Sequence, residues 1–141
     1  MATLIFYLAV VILALGWWVA ISAWPQLPAR IPVHFNLTGE PDRWGARWMI
    51  FIGPLTGSVI CAALAWLFNR PDALARFPMA ARAPLNCLLL IEAGLFTYLT
   101  WQMCRVATGQ ARGLGVWFLP VLLGALTLVS VWLALSARRV G

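Results

Sequence analysis

Four mostly apolar stretches constrain this chain more than any other feature: Ala2 to Trp24, Trp48 to Phe68, Leu85 to Met103 and Gly115 to Leu135. A helix rises about 1.5 Å per residue, so roughly 20 mostly apolar residues cross a hydrocarbon layer. Each stretch reaches that length. The chain of 141 residues is 63% hydrophobic and 10% charged, and a small water-solvated domain cannot hide that much apolar surface in its core. The expected fold is an all-α membrane protein: a four-transmembrane-helix bundle forming one integral membrane domain over residues 1–141. An ordered extended loop, 25–47, caps helices 1 and 2. The first stretch lacks a basic n-region and is too long for a signal-peptide core, so it is read as a retained span. It stops at Trp24-Pro25, where proline removes a backbone donor.

The spans carry their own packing signals. Gly53, Gly57, Cys61 and Ala65 recur at i+4 on the second span, and such small residues let helix backbones approach closely in lipid. Gly53-Pro54 predicts a bend at the start of that span, and Pro120 with Gly124 a kink early in the fourth. Trp24, Trp44, Trp48, Trp66, Trp101, Trp117 and Trp132 fall near span ends, where indole rings anchor at the membrane–water boundary. Trp17 and Trp18 lie deeper, facing lipid or a neighbouring helix. Cys61, Cys87 and Cys104 show neither CxxC spacing nor a partner histidine, so they are expected to be small hydrophobes rather than zinc ligands or disulfides. Between spans two and three, Asn69 to Pro84 predicts a short interfacial helix with Asp72 and Arg76 as an i,i+4 pair. Arg105 to Leu114 is expected to be a plain turn.

The ten basic residues are all arginine, against four acids, for a net charge of +6. They flank the apolar runs instead of forming a polar basic stripe, which excludes a nucleic-acid partner and makes membrane lipid the first one. Arg30, Arg43, Arg47, Arg105 and Arg112 fall on one side of the membrane, and Arg70, Arg76, Arg82, Arg138 and Arg139 on the other. The positive-inside count is therefore tied. Partial neutralisation of the first group by Glu40 and Asp42 places the termini on the cytoplasmic side.

Glu92 lies about two turns into span three. A carboxylate in hydrocarbon is costly, which makes this intramembrane acid a functional candidate. The structural alternative puts it near the interface, bonded to Thr56, Ser58, Asn86 or an arginine at a helix end. His34 would neighbour it only if the loop were drawn down onto the spans.

The 23 residues from Pro25 to Arg47 hold four of nine prolines, two of four acids and the single histidine. Ile31, Val33 and Phe35 alternate with His34 and Asn36, as in a strand with one apolar face. Thr38-Gly39 supplies a turn, with Gly39 suited to positive φ. Asp42 is expected to N-cap the second span. The segment is thus a compact hairpin-like cap. His34, Asn36, Gly39, Glu40, Asp42 and Arg43 form its candidate network, either structural or for recognition of a lipid headgroup or peptide. One imidazole and two carboxylates make too thin a ligand set for an expected metal. There is no nucleophile elbow, phosphate loop or HExxH, so no catalytic residue, enzyme activity or cofactor is expected.

Leu27-Pro28-Ala29-Arg30-Ile31-Pro32-Val33-His34-Phe35-Asn36, followed by Gly39-Glu40-Pro41-Asp42-Arg43-Trp44, resembles the signature LPxxIPxHFNxxGxPDxW. That signature marks an uncharacterised membrane domain at the N-terminus of SdpI-type bacterial immunity proteins. The resemblance implies a polytopic bacterial inner-membrane protein that protects against a secreted toxic peptide and signals its presence. Those proteins usually have six spans, against four in this sequence, so a chain without their immunity-associated C-terminal half is the expectation. Three roles follow as expectations: a non-enzymatic binder of a peptide, lipid or protein partner, an accessory subunit of a larger membrane complex, or a small homodimeric proton-coupled transporter using Glu92.

Overall fold

The computed structural model describes residues 2–68 and 79–138. Helix α1 spans Ala2–Ala23 and ends in a 3-10 turn, Trp24–Gln26, with Pro25 in its first turn, where no backbone donor is required. Strands β1 (Arg30–Phe35) and β2 (Pro41–Ala46) follow as an antiparallel hairpin. A 3-10 segment, Arg47–Phe51, leads into α2 (Ile52–Phe68). Helix α3 is described over Met79–Ala107 and α4 over Phe118–Arg138. Four helical segments are long and apolar enough to cross a membrane: Leu4–Gln26, Arg47–Leu67, Pro84–Ala107 and Phe118–Ser136. This is a multi-pass membrane protein built on a four-helix bundle with a hairpin cap.

Several boundaries differ from the sequence reading. Helix α3 runs through Pro84, because the ring's fixed φ is helical and only one hydrogen bond is lost. It also continues past Met103 to Ala107. Pro54 and Pro120 each sit in the first turn of their helices, the position that tolerates proline without a kink. Asp42 does not cap a helix. It lies in β2, and the cap of the following 3-10 segment is Ala46, with no side-chain hydrogen bond. The expected interfacial helix with Asp72 and Arg76 lies outside the described residues.

The bundle has two apolar cores along its length. Ala9, Leu13, Cys61, Leu89 and Ala93 form the one within the spans, where α1, α2 and α3 meet. Ala20, Leu27, Ile31, Ile50 and Cys104 form the other, at the hairpin end. The Gly53–Ala65 stripe joins the first core in part. A methyl at Gly57 would stand 2.5 Å from Leu13 Cδ2 and 3.3 Å from Glu92 Oε1, and one at Gly53 would stand 3.1 Å from Thr100 Oγ1. Cys61 is buried. The tightest approach of α1 to α3 was not read from the sequence. It occurs at Gly16, where a methyl would meet Thr97 Oγ1 at 2.8 Å, and the Thr97 hydroxyl donates to the Ile12 carbonyl at 2.8 Å. Trp17 resolves toward a neighbour: its Nε1 donates to Ser58 Oγ at 3.0 Å, while Trp18 is exposed.

Candidate functional site

The hairpin is seated on the bundle by its own apolar residues. Ile31 is completely buried against Ala20, Ile50 and Cys104, with Val33 packed alongside. Pro32 is buried as well, so the base of β1 is enclosed on both faces, and the expected alternation emerges only toward the tip, where His34 is exposed. Two register shifts flank His34, which the ladder sets against Arg43, while the pairs before and after, Pro32 with Trp44 and Phe35 with Pro41, share one register. The irregularity leaves Asp42, next to Arg43 on β2, within side-chain reach of His34. The Asp42 carboxylate accepts from His34 Nδ1 at 2.6 Å.

Asn36 organises the tip. Its Oδ1 accepts from the Thr38 backbone N–H at 3.0 Å, the Thr38 hydroxyl at 2.6 Å and the Glu40 N–H at 2.9 Å. An Asx turn of this kind satisfies backbone donors that the ladder cannot reach. Gly39 takes φ +82° and closes the turn through its N–H to the Asn36 carbonyl. Gly39 and Asn36 therefore hold the tip, while Arg43 joins neither set of bonds. The expected network of His34, Asn36, Gly39, Glu40, Asp42 and Arg43 divides into an Asn36 turn with Gly39 and a separate His34–Asp42 pair, while the Arg43 and Glu40 side chains are exposed.

The segment between α3 and α4 is more than a plain turn. Leu114 N–H donates to the Gly39 carbonyl at 2.8 Å, and Gly113 lies so close to Gly39 that a methyl there would overlap the Gly39 carbonyl. Gln102 Nε2 donates to the Gly113 carbonyl at 2.9 Å, and Tyr98 OH to the Leu114 carbonyl at 2.5 Å, with the Tyr98 ring stacked on Phe118. The hairpin tip is thus held from the third span through this segment. Because both lie at one end of the bundle, α2 and α3 return the chain to the side it left. Gly113 and Leu114 could have been noticed only as a glycine beside an apolar residue in a polar turn.

The arginines at this end are mostly engaged. Arg30 donates to the Trp44 carbonyl at 3.0 Å, Arg47 stacks 4.4 Å from the centre of the Trp24 ring, and Arg105 lies 4.6 Å from that of Trp101. Glu92 is far from all of this. It faces Gly57 and Leu13 within the span core, and about 12 helical residues separate it from Cys104 beneath the hairpin, roughly 18 Å along the axis. Neither of its buried oxygens has a hydrogen-bond partner among the described residues. Ser58, one expected partner, gives its proton to the Pro54 carbonyl instead. His34 and Glu92 therefore belong to two places. No group of three or more His, Cys, Asp or Glu side chains converges among the described residues.

The His34 and Asp42 side chains are 57% and 43% exposed, so water screens their attraction. Such pairs contribute under about 1 kcal/mol. The double variant His34→Ala with Asp42→Ala is expected to keep the wild-type melting midpoint within about 3 °C, measured by heating in detergent. A larger drop would make the pair a structural strut.

These features define a multi-pass membrane protein whose two connections at one end lock together as a rigid cap. Residues 11–57, from mid-α1 through the hairpin into α2, match the model of a domain of unknown function, DUF1648. Over 78 residues the chain is 32% identical to an uncharacterized protein of Archaeoglobus fulgidus, a match covering 55% of this chain. The chain spans 43% of that relative's length. No solved structure matches.

Proposed function

We propose that this protein is a non-enzymatic recognition module of the membrane, of the kind found at the N-terminus of SdpI-type proteins, whose hairpin receives a peptide or protein partner at the membrane surface. One observation carries this reading. The hairpin is fixed to the bundle at its base by Ile31 and at its tip through Gly39 and Leu114, yet His34, Glu40, Asp42 and Arg43 remain exposed on it. Anchored backbone with exposed polar groups is what low-cost recognition requires. The setting is the bacterial inner membrane with cytoplasmic termini, since Arg30, Arg47 and Arg105 at the hairpin end are already engaged by the protein and count less toward retention inside. Cells lacking the protein are expected to become more sensitive to a membrane-active peptide. The His34→Ala, Asp42→Ala double variant would then fail to restore resistance while accumulating normally. Unchanged sensitivity on deletion, together with no partner retained in mild detergent, would end the reading. Stoichiometric recovery of a membrane complex instead would favour an accessory subunit.

Glu92 favours a second reading, a small homodimeric proton-coupled transporter. A carboxyl in the core where three helices meet, with no hydrogen-bond donor to it among the described residues, can exchange a proton or a cation. Glu92→Gln is then expected to abolish pH-dependent binding of substrate to purified protein, and absence of such binding in the wild type would rule transport out.

A further inference from the structure

Two adjoining clefts open where the hairpin tip meets the segment between α3 and α4. The upper one, about 260 Å³, is lined by Glu40 and Arg112 together with Thr38, Gly39, Gly113 and Gly115. The lower one, about 310 Å³, descends the first turns of α4 past Phe118, Leu119, Pro120 and Leu123. Thr38, Gly39, Gly115 and Val116 border both, so they form one trough, with both of its charged lining residues, Glu40 and Arg112, in the upper part. The membrane-crossing part of α4 begins at Phe118. The charged part therefore stands at the membrane surface and the part along α4 faces hydrocarbon. Leu37, Val116 and Trp117 beside the trough are 89%, 81% and 76% exposed, a rim suited to lipid and unsuited to water.

The charges in the upper half narrow the occupant. Arg112 and Glu40 share the cleft, yet they form no ion pair with each other. Neither side chain is engaged elsewhere among the described residues, unlike Arg30, Arg47 and Arg105. A cation and a carboxylate that line one opening without pairing match a zwitterion, which carries both charges. We propose that the trough seats an aminophospholipid, its phosphate against Arg112, its primary ammonium against Glu40 and an acyl chain along Phe118, Leu119 and Leu123. The guanidinium suits a phosphate by its planar fork of donors. A primary ammonium can donate to the Glu40 carboxylate, which the quaternary nitrogen of a choline lipid cannot. This inference does not depend on the recognition role proposed above.

The test is retention of lipid by the purified full chain, read by native mass spectrometry after equilibration with phosphatidylethanolamine, phosphatidylcholine or phosphatidylglycerol. The wild type is expected to retain phosphatidylethanolamine about fivefold over phosphatidylcholine, the scale of one charge contact at a membrane surface. Glu40→Gln is expected to erase that preference, and Arg112→Gln to lower retention of both lipids by a similar factor. Arg112→Lys should restore part of the loss, and Arg30→Gln, an arginine at the base of β1 outside the trough, should leave the lipid preference unchanged. Equal retention of the two zwitterionic lipids by the wild type would overturn the proposal. So would strongest retention of phosphatidylglycerol, an effect of Arg30→Gln equal to that of Arg112→Gln, or equal binding of deacylated glycerophosphoethanolamine.

Discussion

Gly57→Leu is expected to drive α2 away from α1 and α3 and to lower the melting midpoint in detergent by about 10 °C. The reason is local. Even the first carbon of a side chain at Gly57 would stand 2.5 Å from Leu13 Cδ2 and 3.3 Å from Glu92 Oε1, and three further carbons have no space to enter. Overfilling a packed interior costs about 3 kcal/mol at the upper end of the usual range, which for a chain of this length corresponds to roughly that shift. In lipid the loss is not recovered by burying apolar surface, because the acyl chains already solvate leucine, and close packing provides most of the helix attraction. Gly94→Leu and Gly124→Leu are the controls. No described residue lies within 4 Å of a methyl at either site, so both variants are expected to melt with the wild type. Gly57→Ala is expected to show a smaller loss, and Leu13→Ala in the same chain to recover part of it, since removing the opposing methyls relieves the contact. If Gly57→Leu melted with the two controls, α1, α2 and α3 would not meet as described.

How far such packing was legible in the sequence differs between levels. The four spans were readable because hydrocarbon imposes a length and a polarity that few other environments do, and their ends moved by only a few residues. The hairpin was readable too, from the alternation of Ile31, Val33 and Phe35 and from the Thr38-Gly39 turn. What failed were assignments that depend on neighbours distant in sequence. Asp42 is the residue type of an N-cap, but a histidine eight residues earlier, brought near by the strand pairing, takes its carboxylate. The small-residue stripe on α2 was visible because it repeats. Gly16 on α1 has no such repeat, and its importance depends on Thr97 facing it from a helix 81 positions away. Residues 108–117 look like a turn because their role is backbone bonding to the hairpin, and backbone bonds leave little trace in residue type. Glu92 was legible as an exception to its surroundings, but only coordinates could separate it from His34.

Gly113→Ala is expected to release the hairpin tip while leaving the spans intact. The added methyl would overlap the Gly39 carbonyl oxygen and lie 3.0 Å from the Gly39 carbonyl carbon and 3.4 Å from Glu40 Cα. All three are backbone atoms, so no side-chain rotation can make room, and the two segments must part. Parting breaks the Leu114 N–H to Gly39 carbonyl bond and shifts the Gly113 carbonyl from Gln102. A buried bond with its overlap corresponds to about 2 to 3 kcal/mol. Exchange of the Leu114 amide with deuterium should therefore accelerate by roughly 30- to 160-fold, while amides within α1 and α2 keep their protection. Gly109→Ala separates this effect from simple backbone strain. Gly109 has φ +75° and no described residue within 4 Å of an added methyl, so alanine there stresses the same connection without touching the hairpin, and Leu114 exchange is expected to stay near wild type. A tip that stayed protected in Gly113→Ala would mean that the hairpin is held by Ile31 and the bundle alone. The segment between α3 and α4 would then have no part in presenting His34, Glu40, Asp42 and Arg43.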